Sequence, residues 1–312
     1  MKKSPKELEN RINEEVGKII VGKSSRIKLI TAAILSQGHV LLDDLPGVGK
    51  TTLVKSLAKA LGCDSKRIQF TPDMLPSDIT GMNIYDRQSG QFRLLKGPVV
   101  TNLLLADELN RATSRTQSAL LEAMEEGQVT VDDKTYPLPK PFVVIATQNP
   151  FGSSGTQKLP ESQLDRFMIR LSMGYPDHEN AVGILKGNVG SVLEELAPVL
   201  SGDQVREMRK KSSEVFVHDN LFDYLVTLTE NTRKNDYFIT GLSPRASLSL
   251  LKMAKATAYM EGAEFVLPEH ILHNLHEVSV HRLNLSPRAK ASGMTVDKAL
   301  DEIAASTPLP KV

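Results

Sequence analysis

The segment Leu41-Leu42-Asp43-Asp44-Leu45-Pro46-Gly47-Val48-Gly49-Lys50-Thr51-Thr52 constrains this chain more than any other. An apolar run that suits a buried strand breaks into a turn carrying Gly47 and Gly49, which delivers Lys50-Thr51 onto a helix. Leu53, Val54, Leu57, Ala58 and Leu61 fall on one helical face, and Gly62 is placed to end it. Strand, loop and helix in this order form a phosphate cradle. The glycines let successive backbone N–H groups turn inward, and the helix N-terminus adds partial positive charge. Lys50 is expected to reach the β- and γ-phosphates, and the Thr51 hydroxyl to ligate Mg²⁺. Asp44 stands where the general pattern has a glycine.

A chain of 312 residues suits two domains, or one large domain with an appendage. A net charge of +1 gives no bulk electrostatic reason to expect a nucleic acid or an anionic membrane as partner. The single cysteine, Cys63, excludes an internal disulfide and reads as a small buried side chain. Met1 to Val16 has no apolar signal-peptide core, and nowhere do eighteen apolar residues run together, which predicts a cytoplasmic protein without a membrane segment.

Further strands are expected at Ile68–Phe70, Asn102–Ala106, Phe142–Thr147 and Phe167–Leu171. Hairpins are expected around Asp86–Gly90 and Asp132–Lys134. Strands alternating with helices up to Tyr175-Pro176 imply an α/β fold with a parallel sheet; beyond that point helical patterns dominate. Asp107-Glu108 closes a fully apolar strand, so its carboxylates belong at the edge where ligands of open α/β sheets sit. Asp107 is the candidate Mg²⁺ ligand and Glu108 the candidate base toward water. Asn149, ending the next buried strand, supplies a neutral amide that can align water. Arg166 is placed to stabilise transition-state charge. Ser243-Pro244-Arg245 puts a cation in the first turn of a helix, where it is electrostatically misplaced unless an anion lies near; a bound nucleotide is the expected anion.

Together these residues resemble the AAA+ ATPases, and most closely the MoxR family. His39 to Thr51 is similar to that family's Walker A stretch, in which an aspartate at the Asp44 position is usual. Leu104 to Ala112 resembles its Walker B, with Leu109 for a more usual isoleucine, and Ala146 to Pro150 resembles its sensor 1. Leu159 to Phe167 resembles the segment carrying the arginine finger, and Gly241 to Ala246 its sensor 2. The resemblance implies a parallel-sheet P-loop AAA+ core over about residues 1–176 and a C-terminal all-helical lid domain over 177–312. The two hairpins become a helix-2 insert at about 78–97 and a pre-sensor-1 hairpin at about 128–138. It implies ATP and Mg²⁺ as cofactors, with Val21 and Gly22 bordering the adenine and Asp44 to Thr52 (including Leu45, Pro46, Val48 and Thr52) around the phosphates. It also implies a homo-oligomeric ring, usually a hexamer. Its clients are proteins remodeled in a chaperone-like way, often alongside von Willebrand factor A domain proteins.

Three other readings remain open: a nucleic-acid motor or transcription activator on the same core, the ATPase subunit of a metal chelatase, and a nucleotide-gated scaffold. The hairpin tips, Arg87 to Gly90 and Asp132 to Lys134, are mixed in charge and non-aromatic, which favours protein over nucleic acid. Glu108 argues against the scaffold. Arg111 is the rival to Arg166 as the finger. His270, His273 and His276 recur at three-residue steps; they are expected to pair with Glu269 and Glu277 rather than to bind metal.

Overall fold

Ser4 opens the first helix through a reciprocal cap: its hydroxyl accepts the Glu7 N–H, and the Glu7 carboxylate accepts the Ser4 N–H. Helix α1 (Pro5–Gly17) and helix α2 (Ser24–Leu35) are separated by a short break. The computed structural model describes residues 3–44, 47–148, 159–186 and 189–310. The chain continues through β1 (Val40–Asp43), α3 (Lys50–Ala60), β2 (Ser65–Gln69) and α4 (Pro76–Thr80) to the hairpin β3 (Gly81–Asp86) and β4 (Gln91–Lys96). Next come β5 (Leu103–Asp107), a 3-10 turn (Leu109–Arg111) and α5 (Ser114–Glu126), capped by Thr113 and ended by a left-handed Gly127. A second hairpin, β6 (Gln128–Val131) with β7 (Lys134–Pro137), leads to β8 (Val143–Gln148), α6 (Glu161–Leu164) and β9 (Ile169–Leu171).

The main sheet is parallel, in the order β2-β5-β8-β1-β9. Its side chains alternate between faces. Val40, Leu42, Leu103, Leu105, Val143 and Ile145 enter one apolar cluster; Leu41, Leu104, Ala106, Val144 and Ala146 enter another. Burial on both faces is why these strands read as continuous apolar runs. The first cluster takes in α1, α2, α3 and the C-terminal helices; the second takes in Ile79, Leu120, Leu121 and Val129 beneath α5 and the hairpins.

Past β9 the chain is helical: α7 (His178–Lys186), α8 (Val189–Glu195), α9 (Gly202–Ser213), α10 (Asp219–Lys234), α11 (Pro244–Glu261), α12 (Pro268–Ser279), α13 (Pro287–Ala291) and α14 (Val296–Ser306). Within it lies a short antiparallel ribbon, β10 (Phe238–Thr240) with β11 (Asn284–Leu285), too brief to carry a periodic signal. Helix α11 packs on both α1 and α2, so the N-terminal helices join the C-terminal ones to the sheet. Among the described residues, no helix is long and apolar enough to cross a membrane.

The β3–β4 hairpin carries exposed aromatic side chains just outside its tip of Arg87 to Gly90. Tyr85 and Phe92 face each other beside its turn, 57% and 73% exposed, with ring centroids 5.4 Å apart. The tip is therefore flanked by an aromatic pair on one face of the hairpin, while the pair Met82 and Leu95, three residues further from the turn, is exposed on the other.

Candidate functional site

Strand β1 ends at the loop that the sequence marks. Gly47 and Gly49 have φ of +88° and +86°, and Gly49 caps α3 in the left-handed conformation. A Cβ at either position would meet nothing within 4 Å, so dihedral freedom, not crowding, requires glycine. Lys50 and Thr51 occupy the first turn of α3, half-buried, where backbone N–H groups have no intrahelical acceptor. The Lys50 Nζ donates to the Asp44 carbonyl at 3.1 Å. Leu45 and Pro46 lie outside the described residues, as does Asn149.

The Asp44 side chain points elsewhere. It is 4% exposed, and its carboxylate accepts from the Ser172 hydroxyl (2.6 Å), the Met173 N–H (2.7 Å) and the Gly174 N–H (3.0 Å). The aspartate thus fastens the phosphate loop to the segment leaving β9, and only its main chain faces the cradle.

Asp107 and Glu108 stand at the same edge of the sheet, one strand removed across β8. The Thr147 hydroxyl donates to Asp107 Oδ1 at 2.6 Å and accepts the Glu108 N–H at 2.9 Å. Arg67 on β2 donates to Asp107 Oδ2 from Nη2 at 2.7 Å. Thr147 and Arg67, neither assigned a role from sequence, therefore set the orientation of Asp107. Arg67 pairs across the sheet with Leu105, so only the strand register reveals that it reaches diagonally to residue 107. Glu108 adopts φ +56°, an unusual conformation for a side chain of this size, and its Oε2 accepts from Arg111 Nη1 at 2.8 Å. Arg111 thus lies against its own chain's carboxylate. Thr51 and Asp107 offer hard oxygen donors suited to Mg²⁺. Among the described residues, no group of three His, Cys, Asp or Glu side chains is placed to hold a metal ion, so such an ion would take its other ligands from phosphate and water.

The break between α1 and α2 abuts the connection after β9. Gly22 has φ +74°, and a Cβ there would collide with the Asn180 amide. Val21 is 37% exposed beside it, and Lys23 Nζ donates to the Tyr175 carbonyl at 2.9 Å.

Arg166 and Arg245 meet on one carboxylate. Glu125, near the end of α5, pairs with Arg166 through Oε2 and with Arg245 through Oε1, each at 2.8 Å. The anion that meets Arg245 within this chain is Glu125. The neighbouring bonds locate this pair. His39, which precedes β1, bonds the Met124 carbonyl through Nε2 at 3.0 Å, and its own carbonyl accepts the Met168 N–H. Burial pushes the His39 imidazole down to about 4, so it stays neutral and Nε2 donates. Arg166 and Arg245 thus sit at the N-terminal edge of β1, roughly 13 Å of strand away from the phosphate loop. Asp165 is held by Arg282 Nε at 2.6 Å and by the Ser243 hydroxyl at 3.3 Å, which fixes the segment under α11. A cavity of about 420 Å³ opens beside Arg166, bordered by Ser118, Glu122 and Ser162.

The three histidines of α12 diverge. His270 is buried against Glu261 (3.1 Å), His276 bonds Asp297 (3.1 Å) and Asp301 (3.0 Å), and His273 borders a small cavity with Glu9. His270 and His276 do pair with acids, though with these rather than Glu269 and Glu277.

A family model described as "ATPase family associated with various cellular activities (AAA)" matches residues 39–169, and one described as the AAA lid domain matches residues 230–303. The chain is 43% identical over 298 residues to the uncharacterised protein YeaC of Bacillus subtilis, covering 95% of this chain and 93% of that one. It is 38% identical over 307 residues to the chaperone MoxR1 of Mycobacterium tuberculosis, covering 96% and 81% respectively. A crystal structure of a candidate ATPase from Cytophaga hutchinsonii superposes with a TM-score of 0.91 at 37% identity, covering 98% of this chain and 96% of that one.

Proposed function

The chain belongs to the MoxR family of AAA+ ATPases, and we propose that it hydrolyses ATP within a homo-oligomeric ring, with Mg²⁺, to remodel a protein client. The observation that carries this reading is the left-handed Gly47 and Gly49 delivering Lys50-Thr51 to the same sheet edge as Asp107-Glu108. In it, Lys50 and the first-turn N–H groups of α3 hold the phosphates. Mg²⁺, held by Thr51 and Asp107, would neutralise phosphate charge. Glu108 swings from Arg111 to take a proton from the attacking water, and Asn149 aligns that water. Val21 and Gly22 border the adenine. The core spans about residues 1–176 and the lid 177–312.

Arg166 and Arg245 serve a neighbour's nucleotide rather than their own. Their place at the far edge of β1 supports this, since neither can share that edge with the phosphate loop. Glu125 already shows that one anion can engage both guanidiniums, as a γ-phosphoryl group would in the ring. We take that ring to be a hexamer in the cytoplasm. A protein client, in company with a von Willebrand factor A domain protein, is favoured over nucleic acid by the mixed charge of the hairpin tips and a net charge of only +1.

Mixing two inactive variants tests the reading. Lys50→Ala lacks the cradle, and Arg166→Ala lacks the finger, whose delivery in trans is worth about 10³–10⁵ in rate. Mixed rings should recover part of the phosphate release, because one interface pairs an intact loop with an intact arginine. Arg245→Ala should complement Lys50→Ala in the same way. If mixed rings form without recovery, and Arg111→Ala does complement, the finger is Arg111.

A further inference from the structure

The cavity where α2, α9 and α11 meet plays no part in the phosphate site. It encloses about 290 Å³ between Gln37, Arg209, Leu248, Leu251, Lys252 and Lys255. Arg209 is 8% exposed, yet its Nε and Nη2 have no hydrogen-bond partner. Burial pushes its pKa down to about 10, so it remains a cation at neutral pH. Among the described residues, no ion pair balances it. Burial pushes the Cys63 thiol up to about 11 and the His39 imidazole down to about 4, leaving both neutral. Among the described residues no carboxylate borders the cavity. Lys252 and Lys255 add further positive charge, although Lys255 also donates to the Ser213 carbonyl at 2.9 Å.

A buried guanidinium without a counter-charge is costly, and its fork of donors matches paired oxygens. We propose that this cavity binds a small oxyanion, a phosphate or carboxylate group, with Arg209 as the buried anchor and Lys252 and Lys255 at the rim. The space exceeds what a bare ion needs, and Leu248 and Leu251 give it an apolar wall, so the anion can carry a short hydrocarbon portion.

The test uses the whole protein saturated with ADP, so that the phosphate loop is already filled. Inorganic phosphate, and separately butyrate, is titrated at constant ionic strength while Tm is followed. The expected result is a saturable rise with at least one probe in the wild type. The rise should vanish in Arg209→Met, and its midpoint should weaken about tenfold in Lys252→Ala/Lys255→Ala. The lysine variant changes only side chains on the outer part of α11 and guards against misfolding of Arg209→Met. A response to phosphate alone assigns a phosphate group; a response to butyrate alone assigns a carboxylate. No saturable rise in the wild type, or an unchanged midpoint in either variant, overturns the proposal.

Discussion

Replacing Asp44 by glycine would restore the general phosphate-loop pattern, and its expected effect is on stability rather than on nucleotide binding. The wild-type carboxylate accepts three hydrogen bonds, at 2.6, 2.7 and 3.0 Å, from Ser172, Met173 and Gly174. Bonds to a charged group contribute about 1.5–3 kcal/mol each, and those sharing one acceptor do not add fully. Asp44→Gly also leaves the buried Met173 N–H without a partner and adds backbone freedom to the unfolded chain. The sum is a loss of about 3 kcal/mol or more. At about 2–4 °C per kcal/mol for a domain of this size, the melting temperature should fall by roughly 6–12 °C. The Lys50 contact to residue 44 uses its main-chain carbonyl, which glycine retains. Binding of a fluorescent ATP analogue, measured well below the transition, should therefore stay within about threefold of wild type, under 0.7 kcal/mol by the same arithmetic. Calorimetry and equilibrium titration on one preparation give both numbers. An unchanged melting temperature, or binding lost while the protein remains folded, would refute the reasoning.

Glu108→Gln should bind the ATP analogue normally and lose at least about 100-fold in steady-state phosphate release, since only the proton acceptor is removed; near-normal turnover would take Glu108 out of that role. His276→Gln probes the α12–α14 contact. Burial opposes the charged imidazole, but hydrogen bonds to Asp297 and Asp301 outweigh it and raise the pKa above 6.5. The protonated form is thus bound more tightly when folded, so its stabilisation is complete below pH 6.5 and is lost as pH rises through the raised value. The stability gap between wild type and His276→Gln, from urea melts across pH, should narrow over that window; a gap that widens with pH would reverse the sign.

Much of the site was legible because its chemistry is carried by local signals. Thr113 and Gly127 frame α5 through side-chain capping and a left-handed turn, both properties of single positions. Likewise Ser243-Pro244 marks the start of α11, and the apolar run into Asp107 marks a central strand. What sequence reasoning missed depends on registers and docking. Arg67 reaches Asp107 only through the pairing of β2 with β5, and Glu125 reads as any helix-surface acid until α11 brings Arg245 to it. The ribbon of β10 and β11 joins residues some forty-five positions apart through very short strands, which leave no period to detect. Arg245 shows the same limit: its first-turn position signals a need for an anion, but that Glu125 meets it within the chain is a matter of tertiary contact.

The parallel sheet also divides the molecule mechanically. The C-terminal helices lean on one of its faces together with α1 and α2, whereas the hairpins rest against the other, where Asn83 bonds Asp132 at 2.7 Å and ties the two hairpins together. The side-chain links between the helical region and the rest of the core gather at its rims. At one rim lies Asp44, fastening the phosphate loop to the chain that enters the helical region. At the other, Glu125 gathers Arg245 from that region onto α5. In the proposed ring these two rims face different nucleotides, the subunit's own and its neighbour's. Each subunit would then act as a coincidence detector, its hairpins answering to the state of two sites at once.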